Sequence, residues 1–392
     1  MSKITDTQLI KHLSHIDELL YSTNDDRKQL LKFCNQIIYA IEKQNIEDTN
    51  ITELTTKIDG SVSIVFGLHP QQQKFFIGSK SVFNKTPKVN FSVDDIYVNH
   101  GKSAGLAKTL IYLFEILSKY KFTNVYQADL IFTPETLEIK NGIAKFTPNT
   151  ITYSLPAEVV KGKKVGMSVH TIYRVSGSTT DELSLNHMVS SQLLTKPKEL
   201  QTAKDVYLVT TQTNIDSILK TDKIRQNFYV KELKNELSKL TSAVNAVNNK
   251  NIEELIINLN SFLVSYSNQC IRTGAEHNTQ GFILYMKTKA TTANEKLKRG
   301  RIENFDYVQT EQYGLLQTHT RELNTIFGTQ EGLTKFKTLL LAFFNHGKHE
   351  FKTHYKDEDT GHEGFVFRFD DKLLKLVDRP RFSKLNFNND RF

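Results

Sequence analysis

Residues 55–66 read TTKIDGSVSIVF, two strand-like runs joined by Asp59-Gly60-Ser61. Side chains two positions apart on a strand share a face, so Lys57 and Asp59 stand together just before the turn. Such a pair is either two solvated charges at an ordinary hairpin or a lysine held for chemistry. The rest of the chain has to decide between them.

On the N-terminal side of this segment the apolar period is helical. Ile10, Leu13, Ile16, Leu19 and Leu20, then Leu30, Leu31, Ile37, Ile38 and Ile41, recur at three- and four-residue steps. On the C-terminal side SVSIVFG and KFFIGSKSVF flank the turn-like HPQQQ, and a helix is predicted over roughly 103–120. Short strand-like pieces follow in VYQADLIFT, LEIKNGIAKFT, TITYSLP and GMSVHTIYRV. From about 181 to 346 the pattern is helical again, and EGFVFRF and KLLKLVD end it with two strands. The patterns predict an α+β fold in four segments: N-terminal helices over 1–50, a β-rich core over 51–180, a helical insertion over 181–346 and final strands over 347–392. Those last strands must return to the core, because an isolated hairpin is only marginally stable.

The chain has 392 residues, 39% hydrophobic and 24% charged, which is enough to bury a sizeable core. No run of about 18 apolar residues predicts a membrane span. Charges interrupt the first apolar positions of MSKITDTQLIKHL, unlike the core of a signal peptide. Cys34 and Cys270 match neither a metal-site spacing nor a disulfide framework, which points to a reducing cytoplasm. The net charge of +8 leans toward a polyanionic partner.

Lys57, Asp59, Lys80, Asp129, Glu363 and Lys375 each lie in or beside an apolar strand-like run. One such residue is ordinarily the solvent-facing member of a half-exposed strand. Six in this order resemble a family. KIDG at 57–60 is similar to the Lys-x-Asp-Gly signature of covalent nucleotidyltransferases: ATP-dependent RNA and DNA ligases and mRNA-capping guanylyltransferases. Ser79-Lys80 lies where that family keeps a basic residue after the nucleophile, and Asp129 in VYQADLIF stands where it keeps an acid, most often Glu. GMSVHTIYR (166–174) resembles the strand that sets a ring over the purine. HEGFVFRF (362–369) matches Glu-Gly-x-Val, and KLLKLVD (372–378) resembles the lysine-bearing last strand. The likeness spans roughly 51–178 and 358–382; the wording of GLHPQQQKFFIGSKSVFNK and FTPNTITY is also similar to a group of phage-encoded proteins of this type.

The resemblance implies a nucleotidyltransferase core, an ATP-grasp-like ligase fold of antiparallel sheets with helices, in which Lys57 attacks the α-phosphate of ATP. It implies ATP contacts from Thr56, Asp59, Gly60, Lys80, Asp129, His170 and Lys375, and a Mg²⁺ or Mn²⁺ ion held by Glu363 and Asp129. His170 or Tyr173 would stack on adenine. Lys80 and Lys375 would supply the cationic field that lowers the nucleophile's pKa and steadies phosphoryl charge. This chain departs from the family in three places. Val377 stands where Lys-x-Lys would put its second lysine, leaving Lys372 or Arg379 for that part; Asp129 is one methylene shorter than Glu; and Glu363 follows Asp129 by 234 residues, so 181–346 must form a subdomain.

Only 17 residues follow Lys375, too few for the β-barrel of capping enzymes and many DNA ligases. DNA ligases tend to carry Arg two residues after the motif glycine, and here that position is Val62, which tilts the expectation toward RNA. The expected activity is polynucleotide ligation at a 5′-phosphate, on RNA or DNA, in the cytoplasm, that of the host for a phage-encoded chain. The lysines of the helical insertion, Lys231, Lys234, Lys239, Lys250, Lys296 and Lys298, could track phosphates in place of the barrel, although most such helix lysines only face solvent; Lys296, Lys298, Arg299 and Arg301 form the densest cluster for that role. The same core would also suit an adenylyltransferase acting on a protein or small molecule, or a binding protein that kept the fold.

Overall fold

A computed structural model describes residues 15–175, 184–185, 188–192, 196–209, 215–248, 250–294, 314, 316–347, 349–355, 358–370 and 372–382. The chain is α+β and divides into two compact units. The first draws on Thr55–Thr213 and His349–His362; the second draws on Leu13–Leu54, Asn214–Lys348 and Glu363–Phe392. Strand β1 (Ile51–Lys57) begins in the second unit and ends in the first.

The first unit carries two sheets. The larger has β2 (Ser63–Leu68), β3 (Phe75–Gly78), β4 (Val125–Phe132), β8 (Val165–Arg174), β9 (Val189–Gln192) and β10 (Val206–Leu208). Its order is β10-β8-β4-β2-β3, with β9 also on β8; only the β10–β8 pair is parallel among these strands. Alternation along the strands sends Ile64, Phe66, Ala128, Leu130, Met167 and Val169 to one face. There they pack against Ile96 of helix α2 (Val93–His100) and Ala107, Leu110 and Leu113 of helix α3 (Ala104–Leu117). The smaller sheet runs β12-β11-β7-β6-β5 and comprises β5 (Leu137–Lys140), β6 (Ile143–Phe146), β7 (Thr152–Pro156), β11 (Lys352–Tyr355) and β12 (Glu358–Asp359). Asn141 and Gly142, both at positive φ (52° and 74°), make the tight turn between β5 and β6.

The second unit is a helical body around a three-stranded sheet, β1-β13-β14, with β13 (Gly364–Phe369) and β14 (Lys372–Val377) antiparallel. Helix α1 (Asn24–Lys43) starts at a capping box in which Thr23 and Asp26 satisfy each other's backbone N–H groups. It buries Leu30, Phe33, Ile37 and Ile41 against Phe365, Phe367 and Phe369. A short helix α4 (Ile215–Leu219) precedes α5 (Lys223–Val247), α6 (Lys250–Thr273), α7 (Thr279–Asn294) and α8 (Thr320–Asn345). Leu233, Leu237 and Leu240 of α5 and Leu333, Phe336 and Leu340 of α8 share the core of α1, while α6 and α7 build a second one around Leu255, Leu259, Leu263 and Phe282. Cys34 and Cys270 are buried and not disulfide-bonded. No helix among the described residues is long and apolar enough to cross a membrane.

Two expectations change. The stretch predicted as helical from 181 contains β9 and β10, which extend the larger sheet before helices begin at Ile215. These strands are only four and three residues long, too short for a two-residue period to register in the sequence. The final strands do not join the sheet of β2 and β4; they pair with each other and with β1, and the helical segment belongs to the same unit as they do.

Candidate active site

The turn after β1 is clamped onto β4. Ser61 donates from its N–H (2.9 Å) and its hydroxyl (3.2 Å) to the Leu130 carbonyl, and the Leu130 N–H donates back to the Val62 carbonyl at 2.9 Å. Gly60 is required by this closeness: a Cβ there would lie 2.4 Å from the Asp129 Cβ and 3.0 Å from the Leu130 oxygen. Asp59 is held by the other sheet. Its N–H donates to the Tyr153 hydroxyl at 3.0 Å, and its carboxylate accepts from the Asn149 amide at 2.7 Å. Asp59 therefore shapes the turn through two fixed hydrogen bonds. Thr56, just before Lys57, is 8% exposed.

Opposite the apolar face of the larger sheet lies a polar row. Ser63 pairs directly with Asp129 across β2 and β4, and Asp129 pairs with Ser168 across β4 and β8. His170 enters through a bulge. Val169 faces Ala128 and Thr171 faces Gln127, which leaves His170 as the extra residue between them. The extra residue keeps Ile172 in the core and adds an imidazole on the Asp129 side of the sheet. Its Nε2 lies 3.6 Å from Asp129 Oδ1, and its Nδ1 is 2.8 Å from the Thr171 hydroxyl. The Asp129 and His170 side chains stay 27% and 31% exposed, so a ligand can reach both.

Burial alone would raise the Asp129 carboxyl's pKa. The His170 imidazole, the Ser63 hydroxyl and the Lys57 ammonium outweigh burial and hold it below the usual carboxylate value. The charge of Lys57 thus acts on Asp129. The elements that meet here are the end of β1, the turn, β2, β4 and β8, all within the first unit. Lys57, Asp59, Gly60, Asp129 and His170, predicted from motifs scattered over more than a hundred positions, are brought together there.

Other predicted residues fall elsewhere. Lys80 is not on a strand: β3 ends at Gly78, and Ser79 caps a 3₁₀ turn that starts at Lys80 by accepting from the Ser81 N–H. The β2–β3 register, with Val65 opposite Gly78, still brings the chain to the Ser63 end of the sheet at Lys80, which is exposed. Tyr173 cannot stack on a base, because it is 2% exposed, lies 4.9 Å from the Phe83 ring, and donates its hydroxyl to Gln127 at 2.6 Å. Burial pushes its phenol up to about 12. Glu363 and Lys375 belong to the second unit, Glu363 immediately before β13 and Lys375 within β14 opposite Val366. The two candidates for the second basic residue of that motif are engaged: Lys372 with Asp26 at 2.7 Å and Arg379 with Asn268. Lys234 and Lys239 pair with Glu42 and Glu236, as solvated helix faces do. Lys296, Lys298, Arg299 and Arg301 lie outside the described residues.

Sequence reasoning missed Ser63, Gln127 and Ser168. One signal was available. Gln127 stands two residues before Asp129 in an apolar strand, which puts both on one face. A family of unknown function, DUF6267, has a sequence model that matches residues 10–391. The chain belongs to the DUF6267 family. No curated protein and no solved structure matches it. In this DUF6267 member no group of three or more His, Cys, Asp or Glu residues fit to hold a metal ion occurs among the described residues.

Proposed function

We propose that this protein is an ATP-dependent polynucleotide ligase of the covalent nucleotidyltransferase type, with RNA favoured over DNA as the strand. The observation that carries the reading is the clamp of the KIDG turn onto β4, which brings the Lys57 charge to bear on Asp129 beside His170. In this reaction the Lys57 amine attacks the α-phosphate of ATP. An N–P bond forms, the bond from that phosphorus to the bridging oxygen breaks, and pyrophosphate leaves with the electron pair. The AMP then passes to a 5′-phosphate, and a 3′-hydroxyl displaces it to close the strand. A lysine of ordinary pKa is protonated at neutral pH, so the amine must lose a proton before it attacks.

Asp129 supplies an acceptor on the polar row, and His170 offers the ring for the base. Mg²⁺ binds typically through one or two carboxylates, with phosphate oxygens and water completing the shell. Asp129, which stays partly exposed, would serve as one such carboxylate, and the ion would neutralise phosphoryl charge beside it. Lys80, exposed at the Ser63 end of the sheet, takes the phosphate-side charge in this reading.

The test is incubation with α-labelled ATP and Mg²⁺. The wild-type protein is expected to carry a covalent label that Lys57→Ala abolishes. Chasing the adduct with nicked RNA, nicked DNA or a 5′-phosphorylated single strand then identifies the acceptor. Absence of label with every nucleotide and metal tried sinks the enzymatic reading; a label that passes to a protein or small molecule but to no polynucleotide replaces the ligase with an adenylyltransferase.

A further inference from the structure

Behind the polar row runs a chain of hydrogen bonds that no motif names. The buried Tyr173 hydroxyl donates to Gln127 Oε1 at 2.6 Å, and Gln127 Nε2 donates to the Ser63 hydroxyl oxygen at 2.9 Å. Ser63 stands directly across from Asp129 on the neighbouring strand, and its hydroxyl helps hold the pKa of that carboxyl down. Gln127 is 6% exposed and Tyr173 2%, so water does not compete for the two inner links.

The orientation of the Gln127 amide sets the direction of this chain. A phenol has one proton and a serine hydroxyl has one, while an amide presents an acceptor at one end and donors at the other. With Tyr173 donating to the amide oxygen, the amide can turn only its N–H₂ toward Ser63. Ser63 then receives a hydrogen bond on its oxygen, and its single proton is left for Asp129. A reversed amide would set Gln127 Oε1 against Ser63. It would draw the serine proton away from Asp129, and the Tyr173 oxygen would accept from the amide instead of donating to it.

We propose that Tyr173, Gln127 and Ser63 act as positioning residues, a one-way hydrogen-bond relay that fixes the Asp129 carboxylate for the ATP·Mg²⁺ complex. The relay deepens the ligase reading and rests on it, so its test has one arm that needs no nucleotide. Outer hydrogen-bond partners of a ligating carboxylate are worth about 10- to 100-fold in affinity or activity when removed. Tyr173→Phe and Ser63→Ala are therefore expected to lower the rate of Lys57 labelling by about 10- to 100-fold, while Ser63→Thr, which keeps the hydroxyl, restores it. Tyr173→Phe combined with Ser63→Ala is expected to be no worse than Ser63→Ala alone, since the links act in series. Melting temperatures measured alongside identify loss by unfolding, which would strike Ser63→Thr as well.

The second arm uses the protein without nucleotide. The Gln127 side-chain amide is followed by ¹H–¹⁵N NMR in the wild type, Tyr173→Phe, Ser63→Ala and Asp129→Asn. A relay predicts that changes at either end move the Gln127 amide signals. Labelling and amide signals both unchanged in Tyr173→Phe overturn the relay while leaving the ligase reading intact. If the wild type never takes label, the ligase reading falls, and the amide spectra alone decide whether the relay exists: signals that ignore Asp129→Asn reject it.

Discussion

At Gly60 the backbone passes so close to β4 that a methyl group has nowhere to go, with the Asp129 Cβ at 2.4 Å and the Leu130 carbonyl at 3.0 Å. Gly60→Ala is expected to force the turn away from β4 and cost about 1–3 kcal/mol, read as a lower urea midpoint at unchanged slope. Labelling should be lost with it although Lys57 is untouched. Asp129 carries a pH signature. Its folded pKa is depressed, so its contribution to stability is present above the ordinary carboxylate value near 4 and is lost as pH falls through the folded value. The stability difference between wild type and Asp129→Asn should accordingly shrink between pH 6 and pH 3; a difference that is flat over that range would contradict the ion-pair account of Asp129. At this scale Lys57 and Asp129 were legible because their types and order form a motif. Ser63 was not, because a contact between neighbouring strands leaves no trace in spacing along one strand.

Among the elements, the bulge in β8 and the 3₁₀ turn before α1 matter most. Alternation predicted β8 well, yet the extra residue at His170 depends on pairing with β4, and pairing is a property of two segments. The 3₁₀ turn Ile16–Tyr21 carries Asp17, which is buried and accepts from Lys337 of α8 at 2.6 Å; its second oxygen has no hydrogen-bond partner among the described residues. Burial would raise this carboxyl's pKa, and the Lys337 charge and hydrogen bond hold it down instead. Lys337→Met should cost about 3–5 kcal/mol by stranding a buried charge, measurable by denaturant unfolding. Asp17→Leu combined with Lys337→Met should recover most of that loss, because two apolar side chains can replace a buried pair. A double variant as unstable as the single one would show that the cost lies in packing. Neither residue stood out in the sequence, since each occupies an ordinary amphipathic position and their partnership spans 320 residues.

For the whole molecule the net charge of +8 sets the expectation for the strand. Affinity for single-stranded RNA should fall as salt rises, with a slope of log K on log salt of about −0.7 for each phosphate neutralised. Salt-independent binding, or none at low salt, would assign the surplus charge to solubility alone. By itself the sequence determined the α+β class and the positions of most strands, and it singled out Lys57, Asp59, Gly60, Asp129 and His170 as candidates, because side-chain period and residue type are local properties of the chain. Only the tertiary structure decided that β13 and β14 share a sheet with β1 and a unit with the helices, and that β9 and β10 complete the larger sheet. It alone turned Tyr173 from a stacking ring into the buried head of a relay. Those outcomes depend on which apolar faces and which hydrogen-bonding edges meet in space. A single pass along the chain cannot supply that, because strands of the same alternation can pair with several partners and burial selects among them.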